Sequence, residues 1–246
     1  MRHDAVGDRP ARARRTAAAD RHAVAHRRRA RLRLAGRARP PFVIVAVVGD
    51  SISAGSPLWD PDPVVRATIA QPDERSQWQW WAAQRDPSLE FHTRAVYGRR
   101  TDEIASFVDD VVDGADLLVV QGGINDVAQR RSVEEAARNL AAIVARGRAL
   151  GLTVALADVL PWPAGDDRAA REILRLNELI HAIEGVIPLP FHDTLARLDV
   201  PWSDDGDHPS VEGHRLLGEA AVTALARGRR THARATGRAG ARPDGG

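Results

Sequence analysis

Six apolar residues in a row, Val43 to Val48, end abruptly at Gly49-Asp50-Ser51. The run does not alternate and is rich in Val and Ile, which predicts a strand buried on both faces. Ile52 to Ser76 is polar and broken by Pro57, Pro61, Pro63 and Pro72, so a long helix is excluded there. Trp78 to Ala83 predicts a helix whose tryptophans serve as core and pocket wall, and Leu89 to Val96 a second strand. Thr101 to Val112 predicts a short helix, with Thr101 as N-cap and Asp102 and Glu103 in its first turn. Asp116 to Gln121 is a third buried strand running into Gly122-Gly123-Ile124-Asn125-Asp126.

Ser132, with Glu135 three residues on, forms a capping box for a helix carrying Val133, Ala137, Leu140 and Val144 at helical spacing. Gly151 ends it. Leu152 to Leu160 is a fourth strand, stopped by Pro161-Trp162-Pro163. Asp166 to Ile183 is a helix with Ile173, Leu176, Ile180 and Ile183 on one face. Val186 to Phe191 is a weaker strand whose Pro188 and Pro190 suit a sheet edge, and Ser210 to Arg227 is the last helix. Strands and helices therefore alternate from 42 to 227, which predicts a parallel sheet with helices on both faces.

Charge divides the chain into three. Residues 1–40 hold 13 Arg and 3 Asp, a net of +10; residues 228–246 hold 5 Arg and 1 Asp, a net of +4. The body between, 41–227, carries 17 Arg against 29 acids, a net of −12. An acidic body is a poor nucleic-acid surface, so nucleic acid is not an expected partner. The basic ends could be arms for nucleic acid or anionic lipid. Their scarcity of apolar residues and lack of periodicity favour disordered extensions at 1–40 and 228–246 flanking one domain at 41–227.

All 35 basic residues are Arg, which suggests a GC-rich coding bias, with a native start nearer residue 40 as its corollary. The absence of cysteine excludes disulfides, cysteine-ligated metal and thiol nucleophiles. No apolar run reaches the roughly 18 residues of a membrane span. Arg runs at 14–15 and 27–29 precede only the short apolar run 42–48, which lacks a small-residue cleavage site, so a cytoplasmic location is the expectation.

Ser51 would stand past the carboxyl end of the first strand, the edge where open α/β sheets bind ligands. A serine nucleophile needs a base, a group that orients the base, and donors for an oxyanion. Asp204-Asp205-Gly206-Asp207-His208-Pro209 supplies the base, His208. A turn through Gly206 can bring Asp205 onto one of its ring nitrogens, with Asp204 and Asp207 as alternative partners. Gly98 offers a backbone N–H unobstructed by a side chain, and Asn125 an uncharged amide donor. Trp59, Trp162 and Trp202 lie in predicted post-strand loops and are candidates for a substrate pocket, with plain packing as the other reading. Asp50 and Asp126 read as loop holders.

Taken in order, Gly-Asp-Ser at 49–51, Gly98, Gly-Ile-Asn-Asp at 123–126 and Asp-Gly-Asp-His-Pro-Ser at 205–210 resemble the SGNH (GDSL-type) hydrolase family. The resemblance covers about 42 to 227. Its departure is around Gly98, where Arg94 and Val96 replace residues more usual in the family. It implies a flavodoxin-like three-layer α/β/α sandwich with a five-stranded parallel sheet. It implies Ser51 as nucleophile, His208 as base, Asp205 as its orienting carboxylate, and Ser51, Gly98 and Asn125 as the oxyanion hole. It further implies a carboxylic-ester hydrolase needing no metal or organic cofactor and acting on a small acyl ester, an acetylated sugar or a short-chain lipid ester. A serine acyltransferase on the same scaffold and a non-catalytic binding protein with basic arms are the alternatives. Gly49-Asp50-Ser51-Ile52-Ser53 lacks the second glycine of an α/β-hydrolase nucleophile elbow, and no Gly-x-Gly-x-x-Gly follows any strand, which sets a Rossmann fold aside.

Overall fold

The structure is a computed structural model that describes residues 42–55, 74–196, 202–203 and 205–239. The sequence expectations for residues 1–40, most of the proline-rich passage, Trp59, Asp204 and 240–246 lie outside those residues. Five strands, β1 (Val43–Gly49), β2 (Leu89–Ala95), β3 (Leu117–Val120), β4 (Thr153–Ala157) and β5 (Ile187–Leu189), form one sheet. Their order is β2-β1-β3-β4-β5, and every pairing is parallel. The chain runs outward from β1 to β2, then crosses to β3 on the other side of β1. The strand order reverses there, so the crevice past the carboxyl ends of β1 and β3 is the place for a ligand.

Alternation along the strands splits the core in two. Ala46, Val48, Leu118, Val120, Val154 and Leu156 pack on one face with Ile104, Leu140, Ile173 and Leu176. Val45, Val47, Leu117, Val119, Ala155 and Leu189 pack on the other with Trp78, Phe191, Leu217 and Leu225. Helices on both faces give the expected three layers.

The helices are α1 (Ser51–Ala54), α2 (Trp78–Arg85), α3 (Thr101–Ile104), α4 (Val108–Val111), α5 (Ile124–Ala128), α6 (Val133–Ala149), α7 (Asp167–His181), α8 (Phe191–Leu195) and α9 (Val211–Ala239). Among the described residues no helix is long and apolar enough to cross a membrane.

Three local expectations need correction. The predicted helix from Thr101 to Val112 is broken by a 3₁₀ turn, Ala105–Phe107, into α3 and α4, and Arg100 rather than Thr101 is its N-cap. Thr101 turns inward instead: its hydroxyl and N–H donate to Asp126, at 2.9 and 3.0 Å. The last helix does not stop at Arg227 but continues to Ala239, so residues 228–239 are helical rather than a disordered tail. That stretch is mostly Ala and Arg, both strong helix formers, and contains no proline. Finally, β5 is short. Pro190 ends it and opens α8.

The edge position of β5 is as expected. Asp158 N–H donates to the Leu189 carbonyl, 3.3 Å, so Leu189 faces β4 and its neighbour Pro188 faces outward, where its missing N–H costs no ladder bond.

Candidate active site

β1 delivers Ser51 to the carboxyl edge of the sheet. Asp50 has extended backbone and caps α1, its Oδ1 accepting from the Ile52 N–H at 3.0 Å. Ser51 is thus the first residue of a helix, where backbone N–H groups have no intrahelical acceptor. Its hydroxyl meets a group from the far end of the chain: Ser51 Oγ lies 2.9 Å from His208 Nε2. The ring is held from behind by Asp205 Oδ2, 2.7 Å from His208 Nδ1.

The loop before α9 explains that geometry. Asp205 Oδ1 collects three donors, the Ser203 hydroxyl (2.6 Å) and the N–H groups of Asp207 (2.9 Å) and His208 (3.0 Å). Its other oxygen is left to the imidazole. Burial by itself would raise the Asp205 pKa, but the hydrogen bonds from Ser203, His208 and the backbone outweigh it and hold the carboxyl below the usual range. Gly206 makes the turn with φ +65°.

Of the alternative partners for His208, Asp207 is engaged elsewhere: its Oδ1 accepts from Trp162 Nε1 at 2.5 Å. Trp162, a candidate for the substrate pocket or for plain packing, therefore ties its loop to the one carrying Asp205 and His208. The Ala164 N–H bond to the Gly206 carbonyl (3.2 Å) reinforces the tie. Trp202 pairs across the same loop with Pro209 and packs against the second core cluster.

Gly98 and Asn125 follow β2 and β3, the strands on either side of β1. Gly98 has φ +71°, and a Cβ there would meet nothing within 4 Å among the described residues. Two residues of α5 and its C-cap, Gln129, clamp the Gly98 loop. Asn125 Nδ2 donates to the Arg99 carbonyl (3.1 Å), Gln129 Nε2 to the Gly98 carbonyl (3.1 Å), and Asp126 accepts from Thr101. Burial pushes the Asp126 carboxyl up, against the lowering from the Thr101 bonds. The loop-holding role read for Asp126 in the sequence is the one the structure gives it.

Sequence reading missed the support under Ser51. Gln121 Nε2 donates to Asp50 Oδ1 (2.9 Å), while Gln121 Oε1 accepts from the Ser53 hydroxyl (2.9 Å) and the Asp50 N–H (3.3 Å). Trp78 Nε1 donates to Ser53 Oγ at 3.0 Å. The available signal was Gln121 itself, a polar residue at the end of an apolar strand. His214, without a motif, is a second case. It is buried on α9, with burial first and His208 second pushing its pKa down to about 3.

The sequence matches the GDSL-like Lipase/Acylhydrolase family over residues 47–216. Comparison with curated proteins finds no match. Among solved structures, the chain is similar to a member of the lipolytic protein G-D-S-L family from Veillonella parvula DSM 2008. That pair has 17% identity and a TM-score of 0.62, covering 75% of this chain and 99% of the other. It is similar to a psychrotrophic esterase from Pseudoalteromonas sp., at 15% identity and a TM-score of 0.56, covering 75% and 97%. It is also similar to an acetylxylan esterase from Geobacillus stearothermophilus, at 15% identity and a TM-score of 0.59, covering 74% and 94%. At such identities these likenesses speak to the fold alone, and the family rests on the sequence match. Since that match takes in the serine that follows β1, the loop of His208 and more than half of the chain between and around them, the chain belongs to the GDSL-like lipase/acylhydrolase (SGNH) family and is a carboxylic ester hydrolase.

Proposed function

We propose that the chain hydrolyses a small acyl ester through an acyl-enzyme on Ser51, with His208 as general base and acid and Asp205 orienting the ring. The observation that carries this is the continuous hydrogen-bonded line Asp205–His208–Ser51, closed at 2.7 and 2.9 Å. A carboxylate on Nδ1 leaves Nε2 free of a proton and pointed at the hydroxyl, the arrangement that lets an alcohol attack a carbonyl near neutral pH. As Ser51 Oγ bonds to the acyl carbon, its proton passes to Nε2. The carbonyl oxygen becomes an oxyanion, for which the Ser51 and Gly98 N–H groups and the Asn125 amide are the proposed donors. Collapse expels the alcohol, which takes the proton from Nε2. Water then attacks the acyl group, again losing its proton to His208; the Ser51 Oγ–acyl bond breaks, His208 returns the proton to Oγ, and the acid leaves.

An acetylated sugar and a short-chain lipid ester are the substrate classes proposed. The acetylxylan esterase of similar fold makes acetylated xylan a first natural substrate to try.

The test is hydrolysis of p-nitrophenyl esters from acetate to a long acyl chain, by the wild type and by Ser51→Ala. The variant is expected to lose on the order of 10⁴–10⁶ in turnover. A fluorophosphonate is expected to add its mass to Ser51 in the wild type only. Hydrolysis by Ser51→Ala at the wild-type rate overturns the assignment.

A further inference from the structure

Directly beneath the nucleophile is a charged group that the Asp205–His208–Ser51 line does not use. Asp50 is completely buried. One of its oxygens, Oδ1, is satisfied by the Ile52 N–H and by Gln121 Nε2. The other, Oδ2, is buried and has no hydrogen-bond partner among the described residues. Gln121 is itself gripped by Ser53, whose hydroxyl accepts from the Trp78 indole and whose carbonyl accepts from Gln79 Nε2 at 2.7 Å. Even Gly49 belongs to the arrangement: a Cβ there would stand 2.7 Å from Gln121 Oε1.

A helix N-cap needs only an acceptor, and Asn or Ser provides one without a charge. What a carboxylate adds, at the expense of burying it, is negative potential in a dry place one residue from Ser51. Among the described residues, the charged groups acting on it are His208, from the loop before α9, and Asp126, from α5. Gln121, which holds it, and Ser53 and Trp78, which stand behind Gln121, are neutral.

Resting on the reading of Ser51 and His208 above, we infer that Asp50, clamped by Gln121, is a positioning residue. Its ionised form steadies the His208 imidazolium that appears when Ser51 loses its proton, so turnover requires Asp50 to be ionised. Burial pushes this carboxyl up to about 6, against the lowering by the Ile52 N–H, Gln121 and His208, with Asp126 adding to the rise. It therefore titrates inside the range of an ordinary assay.

The experiment measures kcat and KM for p-nitrophenyl acetate from pH 4.5 to 8.5 in the wild type, Asp50→Asn and Gln121→Leu, with Ser51→Ala as control. Thermal melts report folding. In the wild type, log kcat is expected to fall on the acid side with a slope approaching two, since two groups must be unprotonated. Asp50→Asn keeps the cap acceptor and removes the titration. Its acid limb is expected to have a slope of one, and its kcat at pH 8 to be roughly tenfold or more below wild type with KM unchanged. That is the order of effect a buried charge near the reacting groups exerts in a protein interior.

Gln121→Leu removes a bond that favours the ionised carboxyl, so its acid limb is expected at higher pH. If Asp50→Asn does not fold, Gln121→Leu carries the test. A slope of one in the wild type, an Asp50→Asn profile superposable on it, or an unmoved limb in Gln121→Leu overturns the inference. Failure of the serine reading shows separately, as wild-type rates in Ser51→Ala.

Discussion

Gly49 shows how far a single missing methyl group reaches. It is the first letter of the Gly-Asp-Ser motif, yet its importance lies in letting Gln121 pass, with Ser53 Oγ only 3.0 Å from where a Cβ would be. Gly49→Ala is expected to cost about 1–3 kcal/mol of stability, the usual penalty for overpacking a core, and to lower kcat by displacing the Gln121 clamp. A denaturant melt and an ester assay on the same preparation check both.

Two buried groups make stability depend on pH in opposite senses. Asp50 has its folded pKa raised from 3.8 to about 6. Its contribution is fully present below the unfolded value and is lost as pH rises through the folded one. Asp50→Asn is therefore expected to be the more stable protein at pH 8, by up to about 3 kcal/mol, with the gain fading towards pH 4. Urea unfolding at the two pH values measures it. His214 has its folded pKa lowered from 6.5 to about 3. Its contribution is present above the unfolded value and is lost as pH falls towards the folded one, so His214→Gln is expected to flatten the loss of stability between pH 6.5 and 4.5.

At the scale of elements, the helix starts were legible because they are local chemistry. The Ser132 hydroxyl accepts from the Glu135 N–H (3.2 Å) and the Asp166 carboxylate from the Ala169 N–H (2.7 Å). Ser132→Ala and Asp166→Ala are each expected to cost about 1 kcal/mol by thermal melt, with the ester assay unchanged. The strands were legible as β-branched runs bounded by Gly, Pro and Asp. Thr101 misled because its preferred cap geometry lost to a tertiary partner, Asp126, twenty-five residues on. Residues 228–239 misled because Ala and Arg read as low complexity, although both favour helix. The Asp205–His208 pairing was legible for the same reason as the caps: three residues and one glycine contain it. Gln121 beneath Asp50 was not, because only the parallel pairing of β1 with β3 brings the ends of those two strands together.

On the scale of the whole molecule, one sheet arranges everything. β1 is flanked by β2 and β3, so the segments carrying Ser51, Gly98 and Asn125 leave adjacent strands at the same edge. The two core clusters share that sheet, one on each face. Ser51 and His208, however, are 157 residues apart, one following the first strand and the other preceding the last helix. Contacts at such separation are among the last a folding chain can afford, because the intervening loop entropy must first be offset by local structure. The 2.9 Å contact is thus a clock for folding as well as the centre of the proposed chemistry. When the denatured protein is returned to native conditions, helical signal is expected to recover first and esterase activity only with the slowest phase, so that the first turnover marks the arrival of α9 on the sheet.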